Sequence, residues 1–585
     1  MSATRPTPIT TSSRLGGLIF VVLVAGAAHL AATAAEPTKT PDPVLVLPNM
    51  KVTTTSNLPP PESWRYTKVG NFEVLSNASD KVTRDLLADF AKFTQAMTLV
   101  WSAPTTPLAS STIILCGKGG KFDAFAPAAA KQDDAIVPSL FLRNREQVAI
   151  IADLEADRVA IDPTNLMVVG AGSADYEVDH YKQLYRDYVR YLLSQAQVRP
   201  PVWVEEGLSQ IIMDIELNET SLIYGKINTL KGAESGGESA DSDGTDPTAN
   251  TDAVVGEQPF NVVLLHRKLI PLKQFFAITA DSPEAQNPLG NNLWAKQAYL
   301  FVHFCLFGED LRYQQALSTF LARLTREPLS EPLFKECFKV GYDQMARELR
   351  GYILRTKHKY QKYALKDDDK FTAKSIELRE ATQAEIGVIK GDALRLGGHQ
   401  EEAYAIYRDT FLRGDRSPPL LAALGVAENT AGHPDRAEPL LEAAMKAGVN
   451  RPSACVELAR LRLTGFIAKP GNKLNTVQVG AVLKPLFTAR QNPPPLPETY
   501  ELIATTWAKS TTPPTADNLA VLDEGIKRFP RDNDLECAAI QLYNSIGSTA
   551  KAAAIAQFAL RFSDDTGKAR LKALMPTQLA PGNGG

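Results

Sequence analysis

Two segments of the chain place charged side chains among tyrosines, leucines and a tryptophan: Arg186, Asp187, Arg190, Glu205 and Glu206. If the first segment is helical, Arg186 and Arg190 lie on one face, because side chains four residues apart are neighbours on a helix. A guanidinium has donors only and can hold a carboxylate through two bonds. The arginines therefore indicate either an ion-pair cluster with Glu206 or Glu205, or a cleft that binds an anionic ligand such as a peptide C-terminus.

The first segment is LYRDYVRYLL at 184–193, and the second is PVWVEEGLS at 201–209. Together they resemble the core of the peptidase-MA-like (gluzincin-type) zinc metallopeptidases. In that family H-E-x-x-H lies on one helix, and a downstream W-x-x-E-G-x-A segment supplies the third zinc ligand. A strand and helix lead-in from Trp64 and a helix near 293–307 extend the resemblance over residues 62–356.

The resemblance implies a zinc site, but most of the implied ligand positions hold other residue types. The two histidine positions are Arg186 and Arg190, the general-base position is Asp187, and only the third-ligand position, Glu206, keeps its type. Arginine has no lone pair for a metal, and two permanent cations would repel zinc. The carboxylate of Asp187 is one methylene shorter than that of glutamate. We therefore predict a degenerate motif with no catalytic residue, no bound metal and no other cofactor.

Another histidine could in principle restore the site. His180 is six residues before Arg186, off the face of the arginines, and His303 belongs to a different predicted helix. The alternative hypothesis is therefore an active peptidase or hydrolase with an atypical metal site, using Glu206 with Asp187 and a distant histidine.

The elements that must position these residues can be predicted from hydrophobic periodicity. The predicted strands are 65–69, 71–75, 112–115 and a hairpin of 140–143 with 147–151; the predicted helices are 80–101, two within 176–216 that Pro200 and Pro201 separate, 292–307, 311–324 and 342–355. Strands followed by a long helical stretch indicate an α+β fold. With the resemblance, we predict an α+β zincin-like metallopeptidase domain.

The second half of the chain contains an internal repeat. The series Gly398, His399, Ala403, Tyr407 and Gly414 recurs 34 residues later as Gly432, His433, Ala437, Leu441 and Gly448. A 34-residue period with small residues at fixed positions is typical of tetratricopeptide (TPR) repeats, in which each unit is a pair of helices. We predict about five units over residues 384–564, forming an all-α tetratricopeptide solenoid. Such arrays commonly bind proteins or peptides on their concave face.

The remaining segments indicate export. Residues 1–35 combine Arg5 and Arg14, an apolar run at 15–30 and small residues at 31–35, which is the pattern of a signal peptide. An uncleaved N-terminal anchor is the alternative, because the apolar run is slightly short of a membrane span. We predict a Pro/Thr-rich linker at 36–61, a disordered insert at 232–257 and a tail at 565–585, in a periplasmic or extracellular bacterial protein.

The balance of charge excludes two classes of partner. The chain has 63 basic and 66 acidic residues and a net charge of −3. This balance provides no basic surface for nucleic acid and no polybasic patch for anionic lipid. The resulting hypothesis is an exported, non-catalytic pseudo-metallopeptidase with a TPR scaffold for a protein or peptide partner. We predict no membrane association after signal cleavage. The sequence does not predict an oligomeric state. A further alternative is that the N-terminal domain is only a rigid module and that the repeats at 384–564 alone determine which partner is bound.

Overall fold

A computed structural model describes residues 59–575 apart from gaps at 102–109, 128–136, 156–157, 162–173, 197–198, 228–258, 288, 309–310, 367–370, 372–374, 450, 469–470 and 472. The predicted signal segment 1–35, nearly all of the linker 36–61 and the whole insert 232–257 lie outside the described residues.

The N-terminal region is mixed α/β. Its strands are β1 (Arg65–Val69), β2 (Phe72–Ser76), β3 (Ser110–Cys116), β4 (Ser139–Arg143), β5 (Gln147–Asp153), β6 (Arg158–Ile161), β7 (Ala174–Glu177), β8 (Glu216–Leu217), β9 (Ser221–Tyr224), β10 (Gln361–Ala364) and β11 (Arg379–Glu380). Its helices are α1 (Asp80–Val100), α2 (His180–Ser194), α3 (Val202–Met213), α4 (Phe260–Val263), α5 (Leu272–Ala277), α6 (Leu293–Phe307), α7 (Arg312–Leu324), α8 (Glu331–Phe338) and α9 (Tyr342–Ile353).

Six of these strands form one sheet in the order β11-β1-β2-β3-β5-β4. β2, β3 and β5 are parallel to one another, while the β1–β2 and β4–β5 pairs are antiparallel. Both of these hairpins were predicted. The β1–β2 turn contains Gly70 at φ 57°, a left-handed conformation that glycine adopts without strain. Parallel neighbours such as β2 and β3 can be joined only by a long crossover connection, and helix α1 lies in that connection.

The sheet is buried on both faces because its strands alternate between two cores. In β5, Val148 and Ile150 face the core shared with the helices of the N-terminal region. Ala149 and Ile151 face the opposite way, into a core that also contains Ile386 and other residues beyond the sheet. The predicted division between residues 356 and 384 therefore does not separate two cores.

The second half of the chain is all-helical. The helices are α10 (Gln383–Leu396), α11 (Gln400–Leu412), α12 (Pro418–Thr430), α13 (Pro434–Lys446), α14 (Pro452–Phe466), α15 (Thr476–Gln491), α16 (Pro497–Ala508), α17 (Ala516–Arg528), α18 (Asn533–Ser545), α19 (Thr549–Ala559) and α20 (Asp565–Leu574). The first ten follow one another as five consecutive pairs within the described residues, which agrees with the predicted five units.

The 34-residue period corresponds to equivalent contacts in the first two helix pairs. A Cβ added at Gly391 would lie 2.3 Å from Cε1 of Tyr407, and one at Gly425 would lie 2.8 Å from Cγ of Leu441. The glycines let the two helices of each pair approach closely, and the residues that fill the contact are themselves 34 residues apart. The repeat in the sequence is thus a repeat of helix packing.

The fourth unit departs from this regularity. Helix α16 packs more extensively on α18 than on its sequence neighbour α17. The segment assigned to a tail also differs from the prediction, since it begins with α20, which Asp564 caps through the backbone N–H of Gly567. Leu571 of α20 is fully buried in the core of the last helices. That apolar contact explains why the helical region continues past residue 564.

Candidate functional site

Helix α2 carries the two arginines and is fixed to the sheet by aromatic residues. Asp179 caps its N-terminus by accepting from the backbone N–H of Tyr181 and Lys182. The ring of Tyr185 stacks on Phe93 of α1 at 3.8 Å between centroids, and Tyr191 meets Phe72 of β2 at 4.9 Å. Tyr185 and Tyr191 are therefore packing residues.

Helix α3 carries Glu206 and lies against α6. It begins after Pro201, where the chain turns out of the preceding loop. Trp203 is buried in the core at 1 % exposure. A Cβ at Gly207 would lie 2.5 Å from Cγ2 of Val302 and 2.6 Å from the carbonyl oxygen of Ala298. The glycine after Glu206 therefore lets α6 pass close to α3.

The four motif positions meet at one buried point. Arg186 donates from Nη2 to both carboxylate oxygens of Glu206, at 2.9 and 2.8 Å, and Arg190 donates to Oε2 of the same residue at 2.9 Å. Asp187 lies 3.6 Å from Arg190. Glu205 points elsewhere and pairs with Arg143 of β4 at 3.0 Å. Two arrangements were predicted, an ion-pair cluster and an anion-binding cleft. The structure has the ion-pair cluster, in which both guanidiniums bind Glu206.

Three further residues complete the cluster, and the sequence reasoning missed them. Gln210 donates to Glu206 at 2.7 Å and to the carbonyl oxygen of Gly290 at 2.7 Å, and Lys296 of α6 donates to Gln210 at 3.0 Å. A Cβ at Gly290 would lie 2.5 Å from Oε1 of Glu206. Gln210 could have been found because it is four residues after Glu206 on one helical face. Nothing in the sequence placed Gly290 or Lys296 there.

The charges of the cluster fix its protonation. Burial alone would raise the pKa of Glu206, but Arg186 and Arg190 outweigh it and hold the pKa at about 2. Burial also raises the pKa of Asp187 above its ordinary value, a change that Arg190 and Arg186 oppose and do not cancel. Glu206 is therefore a carboxylate at every physiological pH, with its negative charge already satisfied by two cations.

His303 does not join this cluster. His303 is fully buried between the hydroxyl of Tyr352 at 3.0 Å and the carbonyl oxygen of Gly225 at 2.7 Å, so both ring nitrogens are occupied. Burial lowers its pKa to about 3, and the ring is neutral. His180 lies at the start of α2. Within the described ranges, no group of three or more His, Cys, Asp or Glu side chains could hold a metal ion.

Comparisons with known proteins bear on the helical region. No protein-family profile matches the sequence, and no curated protein is similar to it. Solved structures that match include TTC0263, a thermophilic TPR protein of Thermus thermophilus (TM-score 0.26, 14% identity, 33% of this chain and 98% of that one), and PilF of Pseudomonas aeruginosa (0.26, 12%, 33% and 81%). YrrB, described as a TPR protein with an unusual peptide-binding site, also matches (0.24, 17%, 32% and 92%).

These matches cover about a third of the chain with low TM-scores. The assignment of the helical region to TPR architecture therefore rests on its own helix pairs and their 34-residue period. Within the residues described, no helix has the length and apolar character needed to cross a membrane.

Proposed function

We propose that this chain is an exported, non-catalytic pseudo-metallopeptidase that binds a protein or peptide partner through its TPR array. The observation that carries the non-catalytic half is the meeting of Arg186, Arg190 and Glu206 at one point. These are the positions to which the family resemblance assigns the three zinc ligands. Convergence of all three in space supports the resemblance, and their chemistry opposes zinc.

A metal at this point would need a ligand set that the cluster does not offer. The arginines have no lone pair to donate, and they already occupy the carboxylate of Glu206. An ion would have to displace three charge-assisted bonds at a site whose side chains are almost fully buried. The residues present thus fit an internal ion-pair cluster and do not fit zinc.

The partner-binding half rests on the helix array. Stacked helix pairs present an extended surface in which each unit contacts mainly its neighbours, and such surfaces bind peptides and proteins. Export rests on the composition of residues 1–35, and it would place the protein in the periplasm or outside the cell.

Restoring the family motif tests the non-catalytic half. The triple variant Arg186→His, Asp187→Glu, Arg190→His would write H-E-Y-V-H on α2, with Glu206 as third ligand. We expect the purified natural chain to hold no zinc after dialysis and the triple variant to bind one ion, measured by elemental analysis. Adding Glu206→Gln to the triple variant should remove that ion.

Two results would contradict this half of the proposal. Stoichiometric zinc retained by the natural chain, with proteolysis that a chelator abolishes, would establish the active-hydrolase alternative. A triple variant that is folded by circular dichroism and binds no zinc would reject the resemblance itself.

Site-specific crosslinking tests the partner-binding half in the whole chain. A photo-crosslinking amino acid at exposed Gln541 on α18 should form adducts with a partner protein, and one at exposed Lys81 on α1 should not. Adducts from Lys81 alone would contradict binding through the repeats. The whole chain is needed because the sheet and the first helix pair share a core.

A further inference from the structure

A cavity of about 580 Å³ lies where the N-terminal region meets the last repeats. Its walls come from α2, α3, α6 and α7 and from the turns that follow α17 and α19. This volume is within the range of pockets that bind small molecules in proteins, roughly 300–1,000 Å³. The cavity is separate from the ion-pair cluster, because none of the four motif residues lines it.

The walls are mainly apolar. They include Trp101, Leu192, Leu193, Trp203, Leu317 and Leu321. A peptide in this space would bring backbone amides against hydrocarbon, and each amide without a hydrogen bond would cost free energy. A hydrocarbon chain brings no such groups. The walls therefore favour an acyl chain over a peptide.

Arginines supply the positive charge of the lining. Arg199, Arg531 and Arg561 all border the cavity. Arg199 donates to the backbone of Asn144, and Arg531 donates to the carbonyl oxygen of Leu324. In the described part of the chain, no carboxylate forms an ion pair with Arg199 or Arg531.

The carboxylate that lines the cavity, Glu327, interacts mainly with Arg323 and more weakly with Arg561. Glu327 accepts two bonds from Arg323, both at 2.7 Å, and so is already paired. Partial burial lowers the pKa of Arg531 and Arg199; for Arg199 the nearby charge of Arg143 adds to the effect and that of Glu205 opposes it. Arg199 and Arg531 border the cavity, are exposed and form no ion pair in the described structure, so they can bind an anionic head group through charge-assisted bonds.

We propose that this cavity binds a single-chain amphipathic anion, of the long-chain fatty acid class, with its tail against the apolar walls and its carboxylate at the arginines. The proposal is independent of partner binding by the repeats. Because burial of each methylene is favourable, affinity should rise up to about fourfold per added carbon until the tail fills the cavity.

Calorimetric titration of the full-length chain tests the ligand class. Dodecanoate, tetradecanoate and hexadecanoate, each below its micelle concentration, should bind at one saturable site with affinity rising along the series. Tetradecyl sulfate tests whether another anionic head serves as well, and tetradecyltrimethylammonium should bind at least about tenfold more weakly. Absence of saturable binding, or equal binding of the cation, would overturn the proposal.

Matched variants locate the site. Leu321→Trp on α7 should fill the cavity and weaken tetradecanoate binding at least about tenfold, while Thr319→Trp, exposed on the same helix, should change it less than about twofold. Arg531→Gln should weaken the carboxylate in the same way, and exposed Arg326→Gln should not. If Leu321→Trp unfolds the chain, the comparison of Arg531→Gln with Arg326→Gln still tests the proposal. Equal effects of Arg531→Gln and Arg326→Gln would reject the assignment.

Discussion

At the scale of single residues, the cluster around Glu206 is a set of charges that depend on one another. Arg186 is 1 % exposed and Glu206 is 3 % exposed, so water contributes little to either charge. A buried pair gains little over an apolar one of the same shape, but removing one partner leaves an uncompensated charge. The cluster is therefore sensitive to single substitutions and tolerant of a concerted one.

We predict that Glu206→Gln lowers the free energy of unfolding by about 3–5 kcal/mol, because two buried guanidiniums lose their counter-charge. The triple replacement of Arg186, Arg190 and Glu206 by Met should recover most of the loss. Glu216→Gln, which breaks a half-exposed pair with Lys226, is the control and should cost less than about 1 kcal/mol. Urea unfolding measures all three, and equal losses for the two single variants would contradict the prediction.

Glu536 in α18 predicts a dependence of stability on pH. It is 1 % exposed, its Oε2 has no hydrogen-bond partner in the described structure, and burial followed by the charge of Asp532 raises its pKa to about 8. From pH 4.5, the ordinary value, to about 8, the folded chain holds a proton that the unfolded chain has released. The contribution of Glu536 to stability must therefore fall as pH rises through that window.

Glu536→Gln should remove this dependence, because the amide resembles the protonated acid. We expect the variant to gain stability over the parent progressively from pH 5 to pH 9 in urea unfolding. Exposed Glu401→Gln is the control and should follow the parent at each pH. A constant offset between Glu536→Gln and the parent across the range would show that the carboxyl is already ionised in the folded chain.

At the scale of elements, the crossing of α3 and α6 depends on a glycine. Gly207→Ala should destabilise the chain by about 1–3 kcal/mol, because the new methyl group meets Val302 and a backbone carbonyl. Gly351→Ala in α9 is the matched control, since nothing lies within 4 Å of its added Cβ, and it should stabilise by about 0.5–1 kcal/mol. Opposite signs in thermal unfolding would confirm the crossing, and two gains would contradict it.

The elements also show which features a sequence can reveal. The β4–β5 hairpin and helix α1 follow from a local turn and a local hydrophobic period, and both are confirmed. The helix at Glu331–Phe338 and the strand at Gln361–Ala364 were not predicted, because each is short and its apolar residues show no clear period. Their positions depend on tertiary contacts, which the periodicity of a single segment does not contain.

The candidate site was likewise predictable where it depends on local spacing and not where it depends on tertiary contacts. Two helices with arginines at one helical spacing and a glutamate downstream were enough to predict an ion-pair cluster with Glu206 or Glu205 as one of two alternatives, and the structure shows the contact with Glu206. Lys296 joins the cluster through Gln210, from a helix far downstream in the sequence. Its approach requires the packing of α6 on α3, and no local pattern encodes that packing.

At the scale of the whole molecule, the sheet and the repeats are one structural unit. Asp392 of α10 accepts from Gln147 of β5 at 2.8 Å and from Tyr407 at 2.6 Å, and it also pairs with Arg451. Further along the array, Arg145 in the β4–β5 turn pairs with Asp532 at 3.0 Å. The backbone N–H of Ser453, at the start of the third helix pair, donates to Glu146 at 3.1 Å. The array thus contacts the N-terminal region at its first, third and last helix pairs.

This shared core predicts how truncated chains behave. A fragment of residues 59–366 would expose the apolar face of the sheet that contains Leu75, Ile114 and Ile151, so we expect it to aggregate or to bind a hydrophobic dye strongly. A fragment of residues 59–449 adds the first two helix pairs and should be monomeric with low dye binding. Light scattering and dye fluorescence measure both, and a monomeric, dye-free short fragment would show that the sheet does not need the repeats.

The pairing of β11 with β1 has a consequence for biosynthesis. Arg65 of β1 pairs with Glu380 of β11. Strand β1 lies near the start of the described chain and β11 lies just before the repeats, so β1 has no partner on that side until β11 has been synthesised. During synthesis the ribosome must deliver almost two thirds of the polypeptide before this edge can close, and contacts so distant in sequence form slowly. Until then β1 keeps unpaired backbone groups that can join a foreign strand. The nascent chain therefore has a long interval in which a chaperone would find a binding site.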